Sequence, residues 1–187
     1  MRGERIHTED VIILEMIQKD GRTEQGYRLL MNAYQEQLYW HIRRLVLTHE
    51  DADDVLQNVW IKIFKNISKF EGNSKLYTWM YRIATNEALT FLRNKQRVQS
   101  TSIDDENDVM RTLMADEYFD GNEIQLRLNA AIATLPEKQK LVFNLRYFDE
   151  MNYKDMSEVL GTSVGALKAS YHHAVKKIEQ HIKETAK

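Results

Sequence analysis

The sequence predicts an all-α protein of two small helical domains joined by an acidic linker, the second domain containing a helix-turn-helix. Three observations carry this. Apolar residues recur at spacings of three and four along most of the 187 residues. One Pro and seven Gly are too few for the many turns of an all-β chain. The helical periodicity lapses once, over residues 98–121, where acids gather.

The elements follow in order. Thr8 is placed to cap a first helix, with Glu9 and Asp10 in its first turn and Gly21 beyond its end. A second helix is expected over Glu24–Leu47, on Leu29, Leu30, Ala33, Tyr34, Leu38, Ile42, Leu45 and Val46. Thr48, His49 and Glu50 read as a turn. A third helix then starts near Asp51, with Asp51, Asp53 and Asp54 against its positive dipole end and Val55, Leu56, Val59, Trp60, Ile63, Phe64 and Ile67 as its apolar stripe. Gly72 and Asn73 break it. A fourth helix over Lys75–Arg97 buries Leu76, Trp79, Met80, Ile83, Ala84, Ala88, Phe91 and Leu92. Its other side carries Arg82, Thr85, Asn86, Leu89 and Arg93.

Past the acidic stretch, where Val109–Phe119 reads as a weak helix, a compact unit begins near Asn122. It needs one helix through Leu135, a second opening with Pro136 at its first position, and a short third over Tyr153–Leu160. Gly161 and Thr162 make a tight turn into a long final helix from Ser163 to about Lys183. Helix, Gly-bearing turn, helix is a helix-turn-helix pattern. The expected organisation is thus 8–97, a linker over 98–121, and 122–183.

Charge is distributed by segment. Residues 71–99 carry five cations against two acids, residues 101–123 one against eight, and residues 163–187 five against two. Two basic segments flank an acidic one, which is more informative than the total of −2. The acidic start of the third helix suits a basic protein partner. Aromatics interleaved with Arg82, Asn86 and Arg93 suit unpaired bases. In the last helix Lys168, Lys176 and Lys177 flank His172 and His173, which suits duplex DNA.

Several chemistries are set aside. No cysteine means no disulfide, thiolate zinc site or cysteine nucleophile. Gly161-Thr162-Ser163-Val164-Gly165 spells a nucleophile elbow, but the elbow needs a strand before its serine and a helix precedes this one. His172 and His173 are adjacent and point about 100° apart on a helix, so they do not form a ligand pair. Asp51, Asp53 and Asp54 lack the glycine-bearing loop of a calcium site. The expectation is no enzyme, no metal and no cofactor. No run approaches the roughly 18 apolar residues of a membrane span, and the first ten residues lack a signal-peptide core. No membrane insertion and a cytoplasmic location are expected.

Three stretches, in this order, resemble one family. DADDVLQNVWIKIF from Asp51, FEGNSKLYTWMYRIATNEALTFLR from Phe70 and LPEKQKLVFNLRYFDEMNYKDMSEVLGTSVGALKASYHHAVKKI from Leu135 are similar to the signature segments of bacterial RNA polymerase sigma factors of the extracytoplasmic-function group, within the sigma-70 family. The resemblance runs from about Thr8 to Ile178. It implies a promoter-specificity subunit that binds core RNA polymerase, recognises −10 and −35 promoter elements and helps open DNA. Its polymerase contacts would be the clamp helices of the largest subunit and the flap. An anti-sigma factor is a further implied partner.

By the same resemblance Asp51, Asp53, Asp54 and Gln57 are the core-polymerase handle. The loop from Phe70 to Lys75, with Phe70, Asn73, Ser74 and Lys75, takes a flipped base. Tyr77, Arg82, Asn86 and Arg93 complete the −10 surface, and the −35 element is read by Ser163, Gly165, Ala166, Lys168, Ala169, His172 and Lys176. The sequence departs from the family pattern at Asn58 and Thr90, which replace acids, and at Ser170 and His173, which stand where Arg is frequent. The alternative is a helix-turn-helix regulator acting on duplex DNA without core polymerase. Such a protein needs neither the acidic handle nor a melting loop.

Overall fold

The computed structural model describes residues 2–19, 21–99 and 123–185, with side chains over 9–19, 21–97 and 123–185. The expected linker from residue 100 on, and the weak helix expected over Val109–Phe119, lie outside the described residues. Among those residues there are eight α-helices and no strand: α1 Arg2–Gln18, α2 Thr23–Val46, α3 His49–Asn66, α4 Leu76–Gln99, α5 Glu123–Ala133, α6 Glu137–Tyr147, α7 Tyr153–Leu160 and α8 Val164–Thr185. A single 3₁₀ turn, Ile67–Lys69, follows α3.

Helices α1 to α4 pack through the stripes that their periodicity requires. Leu30, Leu38, Ile42, Val59, Ile63, Ile67, Met80, Ala84 and Ala88 are fully buried. Helix α1 comes close to α2 at Gly26. A Cβ there would lie 2.6 Å from Ile17 Cγ1 and 3.3 Å from the Ile13 carbonyl oxygen, so the crossing requires glycine. Beside it Asp10 accepts a hydrogen bond from the Tyr34 hydroxyl at 2.5 Å, inside the core. Burial, followed by Asp10, pushes the Tyr34 phenol well above the usual tyrosine range.

Several local expectations are corrected. Helix α1 already runs from Arg2, so Thr8 lies inside it and not at its start. Thr48, read as a turn residue, is the N-cap of α3, its hydroxyl accepting from the Asp51 N–H at 3.2 Å, which brings His49 and Glu50 into the first turn. Pro136 is the N-cap of α6 and not its first residue. Helix α4 continues through Gln99.

In the second half, Ala131, Ile132, Leu135, Phe143, Ala174 and Ile178 close one apolar cluster between α5, α6 and α8. Asn152 caps α7, accepting from the Asp155 N–H at 3.0 Å. Gly161 ends α7 at φ +62, a left-handed conformation that costs a Cβ-bearing residue more. Ser163 caps α8, its hydroxyl accepting from the Ala166 N–H at 3.3 Å. The helix-turn-helix is therefore α7, this turn and α8.

The halves are packed together. Leu141, Val142, Leu145, Met151, Met156, Val159 and Leu167 join the same apolar cluster as the cores of α2, α3 and α4. The main contacts across this boundary are α4 with α7 and α2 with α6.

Candidate polymerase and promoter interface

Three surfaces gather the expected site residues. The first is the start of α3. Ala52, Val55, Leu56 and Val59 are buried, which turns Asp53, Asp54 and Gln57 outward on one exposed face. Asp53 pairs with His49, one turn earlier, at 3.2 Å. Asp51 stands apart from them: Lys95 of α4 holds its carboxylate at 2.5 Å and half buries it. Asn58 donates to the Asp54 carbonyl at 3.1 Å, so this departure from the family pattern is absorbed within α3.

The second surface lies along the loop before α4 and the outer side of that helix. Phe70, Asn73, Ser74, Thr78, Trp79 and Arg82 line a cavity of about 570 Å³. Trp79, expected in the core, is half-buried instead and lines the cavity with its ring 5.3 Å from that of Phe70. Thr78 is buried and its hydroxyl has no hydrogen-bond partner among the described residues. Arg82, Asn86 and Arg93 are exposed at spacings that put them on one stripe. Thr90 donates to the Asn86 carbonyl at 2.7 Å and stays on its own helix. One residue moves the other way. Thr85, expected on the outer side, is buried with its hydroxyl against His41, and Tyr81 is buried against the same ring.

The third surface is α8. Leu167, Ala174 and Ile178 are buried, so Gly165, Ala166, Ala169, His172, His173 and Lys176 are exposed on the opposite side. Ser163 and Lys168 flank them, and the Lys168 ammonium lies over the Tyr153 ring, 5.8 Å from its centroid. All seven residues expected to read duplex DNA are exposed.

The second surface is partly covered by the helix-turn-helix. Asp155 of α7 is buried and accepts from the Lys75 ammonium at 3.0 and 3.1 Å and from the Tyr77 hydroxyl. Ser157, Glu158 and Gly161 close the cavity from the α7 side. A second carboxylate, Asp149 in the loop after α6, accepts from His41 Nδ1 at 2.9 Å and from the Arg44 guanidinium. His41 Nε2 in turn meets the Thr85 hydroxyl at 2.9 Å. Burial, then the Asp149 charge, pushes the Tyr81 phenol above its usual range. Two expected −10 residues, Lys75 and Tyr77, thus have carboxylate partners here, while Arg82, Asn86 and Arg93 face outward. His41 is completely buried and joins the halves. No local pattern marks it, because its partner lies 108 residues away.

Two family models match the chain, one after the other. "Sigma-70 region 2" matches residues 30–98, and "Sigma-70, region 4" matches residues 125–178. The chain belongs to the sigma-70 family. Its curated relatives place it in the extracytoplasmic-function group of these sigma factors. It is 29% identical to the ECF RNA polymerase sigma-E factor of Haemophilus influenzae over 182 residues, covering 92% of this chain and 95% of that one. It is 25% identical to the ECF RNA polymerase sigma factor SigW of Bacillus subtilis over 170 residues, covering 86% and 91%. As a sigma factor it is a promoter-specificity subunit, from a family of non-catalytic initiation factors. Among solved structures it shares the fold of the sigma factor RpoE in complex with the anti-sigma factor NepR from Bartonella quintana, with a TM-score of 0.71 at 18% identity over 85% of this chain and 98% of that one. CnrH, solved with the cytosolic domain of CnrY, gives a TM-score of 0.69 at 16% identity over 94% and 97%. No helix among the described residues is long and apolar enough to cross a membrane.

Proposed function

We propose that this sigma factor docks on core RNA polymerase through the exposed acidic face of α3, with Asp53, Asp54 and Gln57 as the contact residues and Asp51 as a structural support. The polymerase clamp helices and flap are its docking points, in the cytoplasm. Phe70, Asn73, Ser74 and Lys75 receive a flipped −10 base, and Tyr77, Arg82, Asn86 and Arg93 hold the opened strand. The exposed side of α8 takes the −35 element. The two domains are 8–97 and 122–183, joined by the acidic segment over 98–121. The pair of family matches in the right order carries the reading, since a regulator of duplex DNA alone has no use for the first.

An anti-sigma partner belongs to this reading, because the related RpoE was solved with the anti-sigma factor NepR, and CnrH was likewise solved with a protein partner, the cytosolic domain of CnrY. Between the end of α2 and the α5–α6 pair lies a groove of about 420 Å³, lined by Trp40, Leu47, Ile124, Leu128 and Tyr147. Trp40, Ile124 and Tyr147 are exposed there. The groove offers such a partner an apolar surface shared by both halves.

The handle is tested by charge reversal. Asp53→Lys with Asp54→Lys should weaken co-purification with core polymerase at least tenfold and leave the melting temperature within about 2 °C, because both side chains are exposed and surface changes cost little stability. Undiminished binding by the double variant would remove α3 from the polymerase contact.

A further inference from the structure

The reading side of α8 lacks the side chains that most often distinguish bases. From Ser163 to Ile178 there is no Arg, Asn or Gln. Bidentate recognition of guanine by Arg, and of adenine by Asn or Gln, is therefore absent from this helix. Of the remaining polar groups near its start, Ser170 is half-buried, and Ser163 and Lys168 have partners within the protein. The Ser163 hydroxyl caps the helix by accepting from the Ala166 N–H. The Lys168 ammonium is drawn over Tyr153 of α7. Lys176 and Lys177 come two turns later, at a reach suited to phosphates rather than base edges.

What the first two turns do present is small and apolar. Ala166 and Ala169 are exposed one turn apart. Gly165 beside them has open space where a Cβ would stand, with no atom of the described residues beyond its own helix and chain neighbours within 4 Å. A methyl group on the reading side of a recognition helix makes its best contact with the 5-methyl of thymine in the major groove. A glycine in the same turn lets the helix lie closer to the base edges.

We propose that this sigma factor reads its upstream promoter element through thymine 5-methyl groups, packed against Ala166 and Ala169, with Gly165 permitting close approach. His172 and His173, exposed with rings 6.1 Å apart, add single hydrogen bonds one turn further along. The inference rests on α8 being the −35 reader. It adds to that assignment the chemistry of the bases it prefers.

The test uses holoenzyme assembled from the full chain and core polymerase. Binding is selected from duplexes with a fixed downstream region and a randomised upstream element. Thymines in the enriched element are then replaced singly by uracil, which removes only the methyl. The selection should enrich thymine at two neighbouring positions. Each uracil replacement there should weaken binding about three- to fivefold, the effect of one buried methyl. Ala166→Gly or Ala169→Gly should abolish the uracil penalty at one position and keep it at the other. An enriched element whose uracil replacements bind as tightly as thymine overturns the inference and leaves the −35 assignment standing. A persisting penalty at both positions in the Ala166→Gly, Ala169→Gly double variant also overturns it. No enrichment at all, with initiation intact, overturns the −35 assignment and this inference with it.

Discussion

Asp149→Ala should open the two halves of the molecule. The Asp149 side chain is 4% exposed and lies between the His41 ring at 0% and the Arg44 guanidinium at 21%. Truncation leaves His41 buried against Thr85 without its carboxylate, and leaves Arg44 without an anion. Breaking a fully buried charge pair costs about 3–5 kcal/mol. Arg44 is partly solvated and its guanidinium also rests over Phe148, 4.8 Å from the ring centroid, so the loss here should be nearer 2–4 kcal/mol. At 1.4 kcal/mol per tenfold, the ratio of closed to open molecules should fall roughly 30- to 700-fold. In the open form both groups regain water, which is why the penalty falls on closure and not on the helices themselves. The chain has no cysteine, so dyes can be placed cleanly on Cys introduced at the exposed Lys65 and Gln180. Single-molecule energy transfer across a urea series below unfolding then reads the populations of both variants. An unchanged ratio in Asp149→Ala would refute the reasoning that this carboxylate latches the halves.

Two further outcomes follow from the geometry. Arg82→Ala and Asn86→Ala, both exposed on the outer stripe of α4, should slow promoter opening in a permanganate footprint about tenfold or more while core binding is retained; equal loss of both activities would reject their assignment to the opened strand. Gly26→Ala should destabilise the protein, because overpacking against Ile17 and the Ile13 carbonyl costs about 1–3 kcal/mol and helix propensity returns only about 1. A melting temperature lower by about 2–4 °C is expected by circular dichroism, and a raised one would contradict the tight α1–α2 crossing.

The helices were legible because each buries one stripe, and a stripe is a local pattern. The periodicity of α3 and α4 and the Gly161 turn could be read from spacing, and the reading side of α8 from the family resemblance. What escaped is what spacing does not encode. Thr48 is a cap only because the chain enters α3 from an extended residue. Tyr81 and Thr85 share a helix with exposed neighbours and are buried against His41 of α2. His41, Asp149 and Asp155 carry the polar contacts between the halves through partners some 80 to 108 residues distant. The same packing explains Lys75 and Tyr77. Their residue types suit nucleic acid, and in this arrangement Asp155 holds both, so engaging a −10 strand through them requires α7 to move away.

This sigma factor's central activity is to direct polymerase to promoters. Its most direct measurement is run-off transcription with purified core polymerase on a library of upstream DNA fragments, with and without the full chain. The expected result is a set of discrete transcripts that appear only when the chain is added and vanish with Asp53→Lys and Asp54→Lys. No chain-dependent transcript from any fragment, with core polymerase shown to be active on a tailed template, would contradict the account.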